Sequence, residues 1–170
     1  MNNLYLTGME GCGKTCVGRE LARMAGIPFV DINCEIEREA GMPLADILSK
    51  EGLEGLRERA KAALEAAAKG DWQIVACYAE APLFPDALES MQRTGAVVFL
   101  DTPLDRIVDR FDFSRYRGLI DREDALRAPY EKRHGAYVSS CGVQFDYSHA
   151  EAVDAAYDLL QVFYPDYFWR

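Results

Sequence analysis

Apolar residues follow two rhythms along this chain. Short apolar runs, "LYLTG" (4–8), "PFVDI" (28–32), "WQIVACY" (72–78), "AVVFLD" (96–101) and "GVQFDYS" (142–148), read as five strands. The fourth is apolar enough to be buried on both faces. Between the runs, apolar positions take helical spacing. Residues 14–25 bring Val17, Leu21 and Met24 onto one face. Residues 53–69 align Leu53, Leu56, Ala60 and Leu64, add alanine propensity, and stop at Gly70. Further helices are expected over 33–41, ending at Gly41, over 43–52, with Pro43 near the start, and over 85–95, 103–111, 123–140 and 149–163. The stretch 112–124 is polar, charged and irregular.

Strands alternating with helices imply an α/β chain whose parallel sheet is covered on both sides. Right-handed crossovers leave few topologies, and a ligand belongs at the carboxyl ends of the strands. The chain has 170 residues and shows no repeat, low-complexity block or Pro/Gly/Ser linker, so a single domain over 1–170 is expected.

Composition narrows the function. The 28 acidic residues exceed the 19 basic ones, for a formal charge of −9. That balance argues against a nucleic-acid partner, which needs clustered Lys and Arg. It leaves a locally positive phosphate site open. No apolar run approaches the roughly 20 residues of a membrane span, and no secretory leader is visible. The expected setting is cytoplasmic. Five cysteines (Cys12, Cys16, Cys34, Cys77 and Cys141) form an odd set without metal-ligand spacing, which favours reduced thiols. His134 and His149 show no catalytic spacing.

The chemistry concentrates in "GMEGCGKTC", residues 8–16. Gly8, Gly13, Lys14 and Thr15 satisfy G-x-x-x-x-G-K-[ST] between a strand and a helix. Gly8, Gly11 and Gly13 let backbone N–H groups converge on phosphate oxygens, with Cys12 and Cys16 in the same turn. Lys14 reaches the β- and γ-phosphates, Thr15 offers its hydroxyl to Mg²⁺, and the helix N-terminus adds positive potential. Asp31 and Asp101, each ending a strand, are rival carboxylates for the metal. A helix N-terminus would lower the Cys12 thiol pKa; a small residue that simply fits is the alternative.

These residues and four further segments resemble the shikimate kinase family over most of the chain. The segments are "FVDINCEIEREAG", "EGLEGLRERA", "RYRGLI" and "KRHGAY". The resemblance implies a three-layer α/β/α P-loop kinase fold. Its sheet would have the order 2-3-1-4-5, with a lid near 112–122 and a substrate-binding helical region near 33–60. It implies ATP and Mg²⁺ as cofactors and phosphoryl transfer to a hydroxyl of a small acidic or polyhydroxy metabolite, by resemblance shikimate. Asp31 takes the place of the Mg²⁺-associated carboxylate, and Arg57 and Arg133 the place of a pair that grips the substrate carboxylate bidentately. Arg117 takes the place of the lid cation that reaches the transferring phosphoryl group, and Arg110 that of the residue stacking on adenine. No membrane partner is implied; a monomer is expected, with a dimer as the alternative.

The chain departs from the family pattern in three places. Asn33 stands where a second aspartate would bind substrate hydroxyls and help remove the attacking proton. Such general-base help is worth roughly 10² to 10⁴ in rate, although phosphoryl transfer leans mostly on positioning and electrostatics. Tyr78, Ala79 and Glu80 replace three glycines lining the acceptor pocket. Their side chains would fill space that a substrate ring uses. Glu80 could repel a carboxylate held by Arg57 and Arg133, pair with one of those arginines, or supply the carboxylate that Asn33 lacks. Gly118 replaces a lid proline, which should loosen the lid. A nucleotide-binding protein with another substrate, or without catalysis, is the competing reading. The aromatic tail "YPDYFWR" is expected to pack on the domain or to meet a second copy.

Overall fold

The computed structural model of the chain describes residues 2–118 and 120–165. The end of the aromatic tail, from residue 166, lies outside the described residues, as does position 119 in the lid stretch. Five parallel strands, β1 (Asn3–Thr7), β2 (Phe29–Asp31), β3 (Ile74–Ala76), β4 (Gly95–Asp101) and β5 (Val143–Asp146), form one sheet in the order 2-3-1-4-5. Among the described residues seven α-helices accompany them: α1 (Lys14–Ala25), α2 (Ile32–Ala40), α3 (Leu44–Ala68), α4 (Pro85–Thr94), α5 (Leu104–Arg110), α6 (Asp124–Ser140) and α7 (Ala152–Phe163).

The central strand explains the two-sided core. Successive side chains of β1 point to opposite faces. Leu4 and Leu6 join Val17, Leu21, Val98 and Leu159 in one cluster, while Tyr5 joins Ile36, Ile47, Leu56, Leu64 and Val75 in the other. Every β1 residue is buried, as a strand between two neighbours and two helical layers requires.

Two boundaries depart from the sequence pattern. The third strand covers three residues rather than 72–78. Trp72 is exposed at φ 53°, outside strand dihedrals. Beyond Ala76 the chain turns towards a short 3₁₀ segment, Ala81–Leu83. The two helices expected over 43–52 and 53–69 are joined in α3, and Gly52, at φ 74° and ψ −179°, breaks the helical path between them.

Register aligns the carboxyl ends. Asp31 lies opposite Ala76, and Leu6 opposite the same residue from the other side. The β1–α1 turn, the end of β2 and the turn after β3 therefore open on one edge of the sheet.

Candidate active site

At that edge lies a cavity of about 440 Å³, bounded by the glycine turn, the end of β2, Ala79 and the 110–116 segment. The turn is built as a cradle. Gly8, Gly11 and Gly13 sit at φ 139°, 75° and 108°. A Cβ on Gly13 would stand 2.7 Å from the Tyr147 ring, and one on Gly8 would stand 2.7 Å from the Cys12 sulfur. Side chains at these positions would be strained and would clash, so glycine is required at each; Gly11 and Gly13 line the cavity. Lys14 Nζ donates to the Gly8 and Met9 carbonyls, both at 2.7 Å, which holds the ammonium beneath the turn. Cys12 points inward and is buried; burial pushes its thiol pKa up, against the pull of Lys14, so it is no activated nucleophile.

Thr15 follows Lys14 on the first turn of α1. Its hydroxyl donates to Asp31 Oδ2 at 2.6 Å, while Asp31 Oδ1 accepts from the backbone N–H groups of Asn33 and Cys34, capping α2. One carboxylate thus fixes the start of α2 and faces the glycine turn. Thr15 and Asp31 both line the cavity. Among the described residues no cluster of three or more His, Cys, Asp or Glu could hold a metal. A hydroxyl and one carboxylate nevertheless suit Mg²⁺, which is commonly held by one or two protein oxygens together with water and substrate phosphates. Asp101, the rival carboxylate, does not line this cavity; its oxygens meet His134 Nε2 at 3.2 Å and Gln144 Nε2 at 2.7 Å.

At the mouth, the Arg110 guanidinium lies 5.3 Å from the Tyr147 ring centre, and Arg106 lies 4.7 Å from it. Arg110 and Tyr147 both border the cavity. On the opposite side, Asn33 Nδ2 reaches the Tyr116 hydroxyl at 3.3 Å, and Asn33 Oδ1 is buried without a partner. Burial pushes the Tyr116 hydroxyl well above its ordinary pKa, so it stays protonated. Arg115 lines the cavity and reaches Glu37 at 3.1 Å. Arg117 is exposed and sits instead beside Ala45, Asp46, Leu48 and Ser49 of α3.

The three residues after β3 part ways. Tyr78 is buried and stacks on Phe84 at 6.2 Å, away from the cavity. Ala79 lines the cavity, and its carbonyl accepts from the Tyr137 hydroxyl at 2.9 Å. Glu80 turns to the arginines. Arg57 Nε and Nη2 donate to its two oxygens at 2.7 and 3.1 Å, and Arg133 Nη2 adds a third bond at 2.7 Å. Arg133 Nη1 also contacts both oxygens of Glu10 at 3.0 Å. Burial pushes the Glu80 carboxyl pKa up, but the Arg57 hydrogen bonds and the Arg133 charge outweigh it and hold the pKa below the ordinary value. Of the three roles open to Glu80, the structure realises pairing, and with both arginines.

The family model described as shikimate kinase matches residues 10–163. The chain belongs to the shikimate kinase family. Its members are ATP-dependent kinases acting on a hydroxyl of a small metabolite. The shikimate kinase of Symbiobacterium thermophilum is 43% identical over 127 residues, covering 75% of this chain and 71% of that protein. Among solved structures, the shikimate kinase from Acinetobacter baumannii in complex with shikimate superimposes with a TM-score of 0.91 at 30% identity, covering 98% and 94% of the two chains. The shikimate kinase of Bacteroides thetaiotaomicron follows with a TM-score of 0.82 at 25% identity, covering 95% and 97%.

Residues of this shikimate-kinase-like site that the sequence did not point to include Glu10, Arg115, Tyr116 and Tyr147. Glu10 carried a usable signal, since a carboxylate inside a phosphate-binding turn needs a cation to offset it. Arg115 and Tyr116 flank the expected Arg117 by one or two positions, and only the path of the turn decides which of them faces inward.

Proposed function

We propose that the chain transfers the terminal phosphoryl group of ATP to a hydroxyl of a small metabolite held beside Asn33 and Ala79. The observation that carries this reading is the bare glycine cradle, with Lys14 beneath it and the Thr15–Asp31 pair on one cavity wall. Backbone amides of the turn would bind phosphate oxygens, and Lys14 would exchange its two carbonyl partners for them. Thr15 and Asp31 would hold Mg²⁺, which when bound offsets phosphate charge. Arg110 and Tyr147 would border the base. The 112–122 stretch would serve as the lid, bringing Arg115 or Arg117 to the transferring group. Asn33 Oδ1 can orient a hydroxyl but cannot take its proton at neutral pH; Asp31 and Glu10 are among the carboxylates that line the cavity. Positioning and charge stabilisation carry most of such a transfer.

Shikimate, the molecule in the Acinetobacter complex, is the first acceptor to test. A cytoplasmic setting belongs to this reading, consistent with five free cysteines. The test is steady-state ADP formation with ATP, Mg²⁺ and millimolar acceptor. Acceptor-dependent turnover that Lys14→Ala abolishes supports the reading. Tight ADP binding without turnover on any hydroxy metabolite favours the second reading, nucleotide binding without transfer, to which the amide at Asn33 points.

A further inference from the structure

Behind the acceptor wall of the cavity, which Glu10 and Ala79 line, the charges are already paired. Arg57 is taken by Glu80, Arg133 by Glu10 and Glu80, and Arg115 by Glu37. Three guanidinium groups thus face three carboxylates. Glu80 and Glu10 are nearly inaccessible, at 5% and 3% exposure, so their pairs with Arg57 and Arg133 are not fully screened surface contacts, whereas the Arg115–Glu37 pair is partly exposed. An incoming carboxylate would have to expel Glu80 and take over the same hydrogen bonds. Like replaces like, and the expelled side chain must find other partners, so little net attraction remains.

The unmet demand on this side is of another kind. Asn33 Oδ1 is a buried acceptor with no donor, on the cavity wall beside the Tyr116 hydroxyl and the Glu10 carboxylate. Buried acceptors are ordinarily satisfied, and a ligand hydroxyl supplies what is lacking. We propose that Glu80 sets the acceptor class: by occupying the arginine pair from within, it makes the site select an uncharged polyhydroxy compound over a carboxylate. This rests on the phosphotransferase reading above and specifies its substrate.

Binding tests it without requiring turnover. Shikimate and its methyl ester, which has the same hydroxyls without the charge, are titrated into the ADP-bound protein by calorimetry. The wild type is expected to bind the ester at least as tightly as the acid. Glu80→Ala frees both arginines, and the acid should then bind about 10- to 100-fold tighter than it binds the wild type, the worth of one or two charged hydrogen bonds. The ester should gain little. Glu80→Gln keeps the side chain's shape without its charge and carries the test should the alanine variant fail to fold, with ADP affinity as the control for an intact cradle. Wild-type protein that prefers the acid, or variants that gain no affinity for it, would overturn the proposal. Turnover is read separately. The expected binding pattern without phosphoryl transfer would sink the kinase reading and leave the selectivity standing; transfer to the acid in preference to the ester would do the reverse.

Discussion

Arg57 and Glu80, 23 residues apart in sequence, form a two-pronged ion pair at 2.7 and 3.1 Å. Neither residue sits on an element that meets the other by local geometry. Arg57 lies on α3 and Glu80 just ahead of the 3₁₀ segment, and Arg133 of α6 closes the set. The pair therefore links three parts of the chain at the edge of the acceptor side.

Removing Glu80 should cost stability even where it improves carboxylate binding. Glu80→Ala leaves Arg133 with Glu10 alone and Arg57, one-third exposed, with a distant Glu54. Breaking a fully buried pair costs about 3–5 kcal/mol; partial solvent access to Arg57 and the remaining Glu10 contact lower the expectation to about 2 kcal/mol. Urea unfolding of wild type and variant checks it, and equal midpoints would contradict it.

The same carboxylate predicts an acid limb. Its folded pKa lies below the ordinary value of 4.5, so it binds fewer protons than in the unfolded chain once the pH falls below that value. Its contribution is fully present above pH 4.5 and is lost as the pH falls through the folded pKa. Thermal melts between pH 6 and pH 3 should fall less steeply for Glu80→Gln than for the wild type. Parallel curves would show that other carboxylates dominate.

Thiol reactivity should divide the cysteines. Cys16 and Cys34 are exposed, whereas Cys12 and Cys77 are buried, with burial pushing the Cys77 thiol up to about 12. Ellman's reagent at pH 8 should label Cys16 and Cys34 rapidly and reach Cys12 and Cys77 only after denaturation. Rapid native labelling of Cys12 would contradict its inward placement.

Gly13→Ala should damage both fold and function. The new Cβ must avoid the Tyr147 ring at 2.7 Å while the backbone holds φ 108°. Such strain costs about 1–3 kcal/mol, and any shift of the turn disturbs the amides meant for phosphate. Calorimetric ADP titration should show affinity at least about tenfold weaker. Unchanged affinity would show that the turn tolerates the methyl group and does not seat the phosphates there.

Much of this arrangement was legible in the chain because it depends on local pattern. The apolar runs gave five strands, and the glycine turn between "LYLT" and the first helix located the cradle. Asp31 was legible as a strand-end carboxylate that could reach the turn. The partnership of Glu80 was not legible, because it depends on where α3 and α6 come to rest, and three different roles suited the same glutamate. The strand limit at Ala76 was hidden because Cys77 and Tyr78 are as apolar as the strand before them. Arg117 stood out by register with a motif, yet the turn places Arg115 and Tyr116 on the cavity and Arg117 against α3. An irregular segment has no periodicity from which to read facing.

Phosphoryl transfer from ATP to an acceptor hydroxyl can be observed directly. Phosphorus NMR of the protein with ATP, Mg²⁺ and a polyhydroxy acceptor reads it directly. A new phosphomonoester resonance is expected to grow as ADP forms and to be absent with Lys14→Ala. ATP that stays intact with every acceptor, or that yields only ADP and inorganic phosphate, would contradict it.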